Sequence, residues 1–318
     1  MRKALICGIS GQDGAYLSEF LLTKGYEVFG GSRDATTNNF GNLKRLNIFN
    51  QVQLVSINLT DFRSTLQNIN KIRPDEIYNL SGQSSVGLSF EQPIETFESI
   101  CIGTLNILEA IRFCDTSIKF YNAGSSECFG NSPDEMCDEN TLFKPKSPYG
   151  IAKASAHWQV VNYREAYNLF AVNGILFNHE SPLRPERFVT QKVIKAVAEI
   201  AAGKLKKLEV GNIDIVRDWG WAPDYVQAMW LMLQQEIPDD FVISTGKGHS
   251  LKEFIGMAFN CIHLDMEDYL NINQSLFRPT DLQCVVGNPQ KAKKILGWSS
   301  NHELEWIVSK MFSNKFNF

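Results

Sequence analysis

The first half of the chain alternates between short apolar runs and longer segments with helical periodicity. Residues 4–7 form a continuous apolar run of strand length, and the segment 15–23 places its apolar residues on one helical face. Glycine or proline interrupts the pattern near Gly25 and at Pro74. The pattern predicts strands at 4–7, 26–30, 52–57, 76–80 and 118–122, with helices at 15–23, from 62 to 73, and at 94–113.

The second half begins with the same alternation and then departs from it. A long helix is predicted at 149–167 and an apolar strand at 170–177. Beyond these, the pattern indicates helices at 188–203 and 251–262 and a late strand at 241–244.

This order predicts an α/β fold, a Rossmann-type doubly wound parallel sheet with a smaller, interleaved C-terminal lobe. We expect 1–179 with about 212–247 to form the dinucleotide-binding domain. Segments 180–211 and 248–318 would form the second lobe, which binds substrate.

Composition narrows the class of protein. The 318 residues are 44% hydrophobic and 21% charged, with a net charge of −4, so no basic field for nucleic acid is visible. The seven cysteines are scattered without a C-x-x-C pair, which favours neither a disulfide framework nor a metal site. No apolar run reaches membrane-span length, and the start of the chain does not resemble a signal peptide. A cytoplasmic protein without membrane or nucleic-acid partners is expected.

A glycine-rich segment follows the first predicted strand and opens the first predicted helix. Its sequence is Gly8-Ile9-Ser10-Gly11-Gln12-Asp13-Gly14, of the form G-x-x-G-x-x-G. In this context glycines let the backbone approach a pyrophosphate at the helix N-terminus. The segment therefore predicts dinucleotide binding, although a glycine turn that only packs strand against helix is the alternative.

The end of the second predicted strand bears on which dinucleotide is bound. An NAD site commonly has an acidic residue there, whereas this chain has Gly31-Ser32-Arg33-Asp34. A guanidinium suits a 2′-phosphate, so Arg33 favours NADP over NAD. Two alternatives stay open: Asp34 leaves NAD as a candidate cofactor, and Arg33 could be only a solvated loop charge. Residues at the ends of the third and fourth strands are further candidates for cofactor contact: Asn58, Leu59, Leu80, Ser81, Gly82, Gln83 and Ser84.

Four residues have the chemistry of proton and hydride transfer. Tyr149 and Lys153 are four apart on one helix face, where an ammonium favours the phenolate and lowers the tyrosine pKa. The hydroxyl of Ser125 can bind the same substrate oxygen. Glu127 adds a second base, which simple alcohol oxidation does not need. A structural role for Glu127 as a surface charge is the alternative.

The chain resembles the extended short-chain dehydrogenase/reductases, and among them the GDP-mannose 4,6-dehydratases, over nearly its whole length. Besides the glycine-rich segment, the matching runs are Asn-His-Glu-Ser-Pro at 178–182, Arg-Asp-Trp-Gly at 217–220 and Arg-Pro-Thr-Asp at 278–281. The resemblance implies a homo-oligomer, a tetramer or a dimer, that holds NADP and converts GDP-mannose to GDP-4-keto-6-deoxymannose. It implies that Tyr149 takes the proton of the carbon-4 hydroxyl and that Glu127 acts at carbons 5 and 6.

Further roles follow from the resemblance alone. It implies that His179 and Arg184 contact the cofactor. It also implies substrate contacts for six residues: Ser84, Ser125, Asn178, Lys192, Arg217 and Arg278. A structural histidine and solvated charges are the competing interpretations of these residues.

The chain also departs from the family pattern. Ser125 replaces a threonine, Asn58 an aspartate, Glu95 a cofactor-contacting tyrosine, and Leu183 the first of two arginines. Trp221 and Pro223 replace His and Lys, and the segment before Arg278 is short, which leaves sugar specificity open. A related nucleotide-sugar dehydratase, a 4-epimerase or 4-reductase on the same scaffold, and a non-catalytic cofactor-sensing protein are the alternatives.

Overall fold

A computed structural model describes residues 1–132 and 134–313. The strands in this part of the chain are β1 (Lys3–Cys7), β2 (Glu27–Ser32), β3 (Gln53–Ser56), β4 (Glu76–Asn79), β5 (Lys119–Ala123), β6 (Ala171–Leu176), β7 (Asn178–Glu180), β8 (Leu208–Val210), β9 (Val216–Arg217), β10 (Trp219–Trp221), β11 (Phe241–Ile243), β12 (His249–Ser250), β13 (Leu270–Ile272) and β14 (Cys284–Val285).

The α-helices are α1 (Gln12–Thr23), α2 (Gly41–Arg45), α3 (Phe62–Ile72), α4 (Val86–Glu91), α5 (Pro93–Phe97), α6 (Gly103–Cys114), α7 (Pro148–Tyr167), α8 (Val189–Ala201), α9 (Ala222–Leu233), α10 (Leu251–Asn260) and α11 (Leu304–Ser313). A π-helical turn, Glu98–Ile102, joins α5 to α6, so the predicted helix 94–113 is a run of three segments.

Seven strands form one parallel sheet in the order β3-β2-β1-β4-β5-β6-β11. Its central strands are buried on both faces, which explains the continuous apolar run at 4–7. Helices α1 and α9 pack on one face, and α3, α6 and α7 cover the other. The doubly wound Rossmann-type sheet predicted from the alternation is therefore confirmed.

The second lobe has its own core. Helices α8, α10 and α11 bury Val193, Phe254 and Ile307 against one another. Two small sheets, β8 with β13 and β12-β9-β14, lie beside them, and β7 pairs with β10. The chain crosses between the lobes repeatedly, since α9 and β11 return to the large sheet after β10. The domain limits given above stay a prediction.

In the part of the chain that the structure describes, no helix combines the length and the apolar character that crossing a bilayer requires.

Candidate active site

Two adjacent cavities lie at the carboxyl edge of the large sheet, where open α/β folds bind ligands. The larger has a volume of about 1030 Å³ and is lined by the glycine-rich segment and the ends of β2, β3 and β4. The smaller, of about 210 Å³, contains Ser125, Glu127, Tyr149 and Lys153. Residues 81–84, Arg184 and Arg187 line both cavities, so one elongated ligand or two adjoining ones can reach across.

The glycine-rich segment turns tightly at the N-terminus of α1. Gly8 has φ +90°, and a Cβ there would meet the carbonyl oxygen of Leu80 at 2.7 Å. A Cβ on Gly14 would lie 2.6 Å from the carbonyl oxygen of Gly8. No side chain caps α1 at Gly11, which leaves the first amides of the helix facing the larger cavity. This is the geometry expected of a pyrophosphate site.

His179 is held by bonds within the protein. Its Nδ1 lies 2.7 Å from the carbonyl oxygen of Phe177, its Nε2 lies 2.9 Å from Oδ2 of Asp13, and its ring stacks on Tyr225. Burial raises the pKa of Asp13, but His179, Gln12 and Arg184 more than offset this and bring it to about 2. His179 thus fixes the glycine-rich segment against β7, and its contact with the cofactor stays a prediction.

The end of β2 presents Arg33 to the larger cavity. The Arg33 side chain is 82% exposed, and its Nη1 lies 3.6 Å from Oε1 of Glu95. The Asp34 carboxylate instead accepts hydrogen bonds from Thr36 and Thr37 in its own turn. These local bonds lower the pKa of Asp34 to about 2.

Tyr149 and Lys153 lie in the first turns of α7, which begins at Pro148 with Ser147 as its cap. The Ser147 hydroxyl accepts a bond of 3.0 Å from the amide of Gly150. Both side chains are buried. The Lys153 ammonium donates to the carbonyl oxygen of Ala123 at 2.8 Å and lies 5.8 Å from the centre of the Tyr149 ring.

Burial dominates the electrostatics of this pair. It raises the pKa of Tyr149 above its ordinary value, and a hydrogen bond with Ser125 lowers it by less. The pKa of Lys153 falls to about 8 for the same reason. The lowered tyrosine pKa predicted from the sequence is thus wrong for the protein alone, because the spacing of two residues carries no information about their desolvation.

Glu127 follows β5 in a short turn, Ser126–Cys128. Its backbone amide donates to the hydroxyl of Ser125 at 3.3 Å, which orients the Ser125 side chain. Burial raises the pKa of the Glu127 carboxyl, while Arg217 and Arg278 lower it by less. A carboxyl with a raised pKa next to a hydroxyl and a phenol has the properties of a general acid/base.

Two arginines approach Glu127, Arg217 on β9 and Arg278 in the segment before β14. Nη1 of Arg217 donates to the carbonyl oxygens of Val216 and Leu282 at 2.9 and 2.8 Å. Asp281 lies 3.5 Å from Arg217 and 3.9 Å from Arg278, so it holds both guanidinium groups at the wall of the smaller cavity. Positive charge at this wall suits a phosphate group.

Most of the predicted site residues line these cavities, and two do not. The Ile9 side chain is buried in the core, and Lys192 is exposed on α8 away from either cavity lining. The individual roles of all of them stay predictions. The residues that line one or both cavities are Gly8, Ser10, Gly11, Gln12, Asp13, Gly14, Arg33, Asn58, Leu59, Leu80, Ser81, Gly82, Gln83, Ser84, Ser125, Glu127, Tyr149, Lys153, Asn178, His179, Arg184, Arg217 and Arg278.

Sequence reasoning missed Arg187. Its Nη2 donates to the hydroxyl of Ser84 at 3.0 Å, and it lies with Arg184 against the ring of Phe188. The substitution of Leu183 for an arginine was the available signal, because a nearby arginine can supply the missing charge.

Comparison with known proteins identifies the family. The family model described as GDP-mannose 4,6 dehydratase matches residues 5–311. The chain is 48% identical to GDP-mannose 4,6 dehydratase 2 of Arabidopsis thaliana, over 97% of this chain and 85% of that protein. It is 43% identical to the Homo sapiens GDP-mannose 4,6 dehydratase, over 97% of this chain and 90% of that one.

The fold is also found among solved structures. A Thermus thermophilus UDP-glucose 4-epimerase complex with NAD superimposes with a TM-score of 0.86 at 24% identity, covering 98% of both chains. This similarity concerns the fold alone. The family model and the relatives across nearly the full length carry the assignment, and the chain belongs to the GDP-mannose 4,6-dehydratase family.

Proposed function

We propose that this protein is a GDP-mannose 4,6-dehydratase, a hydro-lyase that converts GDP-mannose to GDP-4-keto-6-deoxymannose. The family membership supports the activity, and one observation carries the reaction type. Glu127 shares a cavity with Ser125, Tyr149 and Lys153, so a second acid/base group stands beside an oxidation site.

Ser125, Tyr149 and Lys153 each contribute to oxidation at carbon 4. Ser125 hydrogen-bonds the hydroxyl oxygen, and Tyr149 takes its proton. Lys153, fixed through Ala123, keeps a positive charge near the phenol. A bound oxidised nicotinamide would supply the reversible hydride transfer, from carbon 4 and back to carbon 6, and its positive charge would favour the Tyr149 phenolate.

Glu127 then acts at carbons 5 and 6. The new ketone acidifies carbon 5, and the carboxylate of Glu127 removes its proton. The same proton goes to the carbon-6 hydroxyl, which leaves as water. Once the hydride is on carbon 6, Tyr149 would return its proton to carbon 5, so the phenolate is restored and water is the only group lost. The raised pKa of Glu127 suits this double role, since a general acid/base works best near the operating pH.

The cofactor of this reaction is NADP in our proposal. The larger cavity has room for a dinucleotide, and the tight turn at Gly8 leaves the N-terminus of α1 open to its pyrophosphate. Arg184 lines both cavities, and its Nε lies 3.5 Å from Oε2 of the buried Glu180, which holds the guanidinium at the cavity wall, where its charge suits an anionic group. Arg33 at the end of β2 would bind the 2′-phosphate, and Asp34 is occupied by its own turn.

GDP-mannose would enter the smaller cavity with its diphosphate toward Arg217 and Arg278.

We also propose a cytoplasmic homo-oligomer. Helices α5 and α7, which pack together, expose Ile94 on the first and Ile151 and Trp158 on the second. Apolar side chains of this size on neighbouring helices favour association, which light scattering can measure.

The test is a product analysis with a matched pair of variants. Purified protein with GDP-mannose and NADP should yield a 4-keto-6-deoxy sugar by nuclear magnetic resonance. Glu127→Gln should lose at least about a hundredfold in turnover, the usual weight of a positioned acid/base, yet keep its affinity for NADPH. Glu165→Gln, an exposed carboxylate on the same helix as Tyr149, should behave as wild type.

Two results would refute the proposal. Unchanged turnover by Glu127→Gln removes the elimination role of that residue. An epimer, or a reduced sugar with its carbon-6 oxygen retained, would instead show a 4-epimerase or 4-reductase on the same scaffold.

A further inference from the structure

Three carboxylates line the larger cavity together with Arg33: Asp34, Glu95 and Glu98. A site built only to attract a 2′-phosphate would not need them, because a phosphate dianion and a carboxylate repel each other. Their individual contacts distinguish their effects on Arg33.

Only one of the three engages Arg33 among the described residues. Asp34 accepts bonds of 2.8 and 2.6 Å from the amide and hydroxyl of Thr36, so its charge is directed into its own turn. Glu98 forms no ion pair with Arg33 within the described chain. Glu95, on α5, lies 3.6 Å from Nη1 of Arg33.

We propose that Glu95 is a specificity-determining residue that competes with the cofactor's 2′-phosphate for Arg33 and thereby narrows the preference for NADP over NAD. The proposal rests on the NADP use and the Arg33 role proposed above. A cofactor with a free 2′-hydroxyl leaves the Arg33–Glu95 pair intact. A 2′-phosphate must displace Glu95 from the guanidinium before it can bind there.

The expected size of the effect follows from the exposure of the pair. Arg33 and Glu95 are 82% and 52% exposed, so water and salt screen their attraction. Exposed ion pairs of this kind correspond to about a two- to fivefold change in an equilibrium constant. Removing the Glu95 charge should therefore tighten NADPH binding by about that factor and leave NADH binding almost unchanged.

The experiment measures dissociation constants of NADPH and NADH by nicotinamide fluorescence, without turnover. Glu95→Gln should raise the ratio of the NADH dissociation constant to the NADPH dissociation constant about two- to fivefold. The increase should be smaller at high salt. Glu98→Gln is the matched control, because it removes a carboxylate that lines the same cavity but is not paired with Arg33 in the described chain, and it should shift the ratio less. Arg33→Gln and the double variant Arg33→Gln/Glu95→Gln complete a double-mutant cycle. In the Arg33→Gln background, Glu95→Gln should improve NADPH affinity less than it does in the wild type.

The outcomes separate the two proposals. If Arg33→Gln leaves NADPH binding unchanged, the proposed 2′-phosphate site fails and the role of Glu95 fails with it. If Arg33→Gln weakens NADPH binding but Glu95→Gln does not change the ratio, the role of Glu95 alone is refuted. An equal gain from Glu98→Gln, or an undiminished gain in the Arg33→Gln background, also refutes competition for Arg33.

Discussion

Replacing Lys153 with methionine should stabilise the fold while it removes the oxidation step. The ammonium is buried, and within residues 1–132 and 134–313 its one hydrogen bond goes to the carbonyl oxygen of Ala123 at 2.8 Å. Burial of a charge costs free energy unless polar partners compensate for it. Methionine keeps much of the length of the side chain and removes the charge. Lys153→Met should therefore gain stability and lose turnover, because Tyr149 would lack its positive neighbour.

The pKa of Lys153 sets the size of the expected gain in stability. The pKa of Lys153 falls from 10.5 to about 8 on folding, which corresponds to about 3 kcal/mol of destabilisation at neutral pH. The lost hydrogen bond to Ala123 offsets about 1–2 kcal/mol of the gain. A net stabilisation of about 1–2 kcal/mol should raise the melting temperature by about 2–4 °C in a chain of this size.

The stability difference between Lys153→Met and wild type should depend on pH. Because the folded pKa of Lys153 lies below the unfolded one, the folded state binds the proton less tightly than the unfolded state does. The cost is therefore complete below about pH 8 and disappears as the pH rises toward 10.5. The advantage of Lys153→Met over wild type should be largest at pH 7 and should shrink by pH 9.5 or so.

Differential scanning calorimetry and urea unfolding at the two pH values measure the effect. Lys206→Met, an exposed lysine in the second lobe, is the control for the loss of a positive charge and should change stability little. A variant at Lys153 that is less stable than wild type at pH 7 would contradict the reasoning. So would a gain that is the same at both pH values.

Two further predictions test the loop and the charge near Glu127. Gly8→Ala places a Cβ 2.7 Å from the carbonyl oxygen of Leu80 at a residue with φ +90°. It should weaken NADPH binding and lower the free energy of unfolding by more than about 1 kcal/mol. Gly25→Ala is the control for backbone strain alone, because Gly25 has φ +79° and its Cβ would meet no atom within 4 Å. Equal losses of stability, with NADPH affinity intact, would refute the close approach. Arg278→Gln removes a charge that lowers the pKa of Glu127, so the acid limb of the pH–kcat profile should move to higher pH, and an unmoved limb would refute that coupling.

The sequence predicted those features that depend on local pattern. The glycine-rich turn, the strand before it and helix α7 were predictable because glycine spacing and apolar periodicity determine them locally. Helix α9 was not predicted. Its sequence, Ala222–Leu233, is apolar around most of its circumference because it is buried, and Pro223 near its start resembles a break rather than a first turn.

Contacts between distant segments could not be predicted in the same way. The Arg33–Glu95 pair joins β2 to α5, and the bonds of His179 join β7 to the glycine-rich segment. The pKa of Tyr149 depends on how deeply the whole fold buries it, which no spacing of residues reveals. The π-helical turn Glu98–Ile102 also leaves no mark on the helical periodicity of 94–113.

The charges around Glu127 would link substrate binding to its proposed acid/base role. Arg217 and Arg278 lower a pKa that burial raises, and Asp281 lies close enough to both arginines to reduce their effect. Both arginines also line the cavity proposed for the GDP-mannose diphosphate. An anion that binds there would partly neutralise them, and the pKa of Glu127 should then rise further. The carboxyl would then be best matched to proton transfer in both directions when the sugar is in place, rather than in the free enzyme.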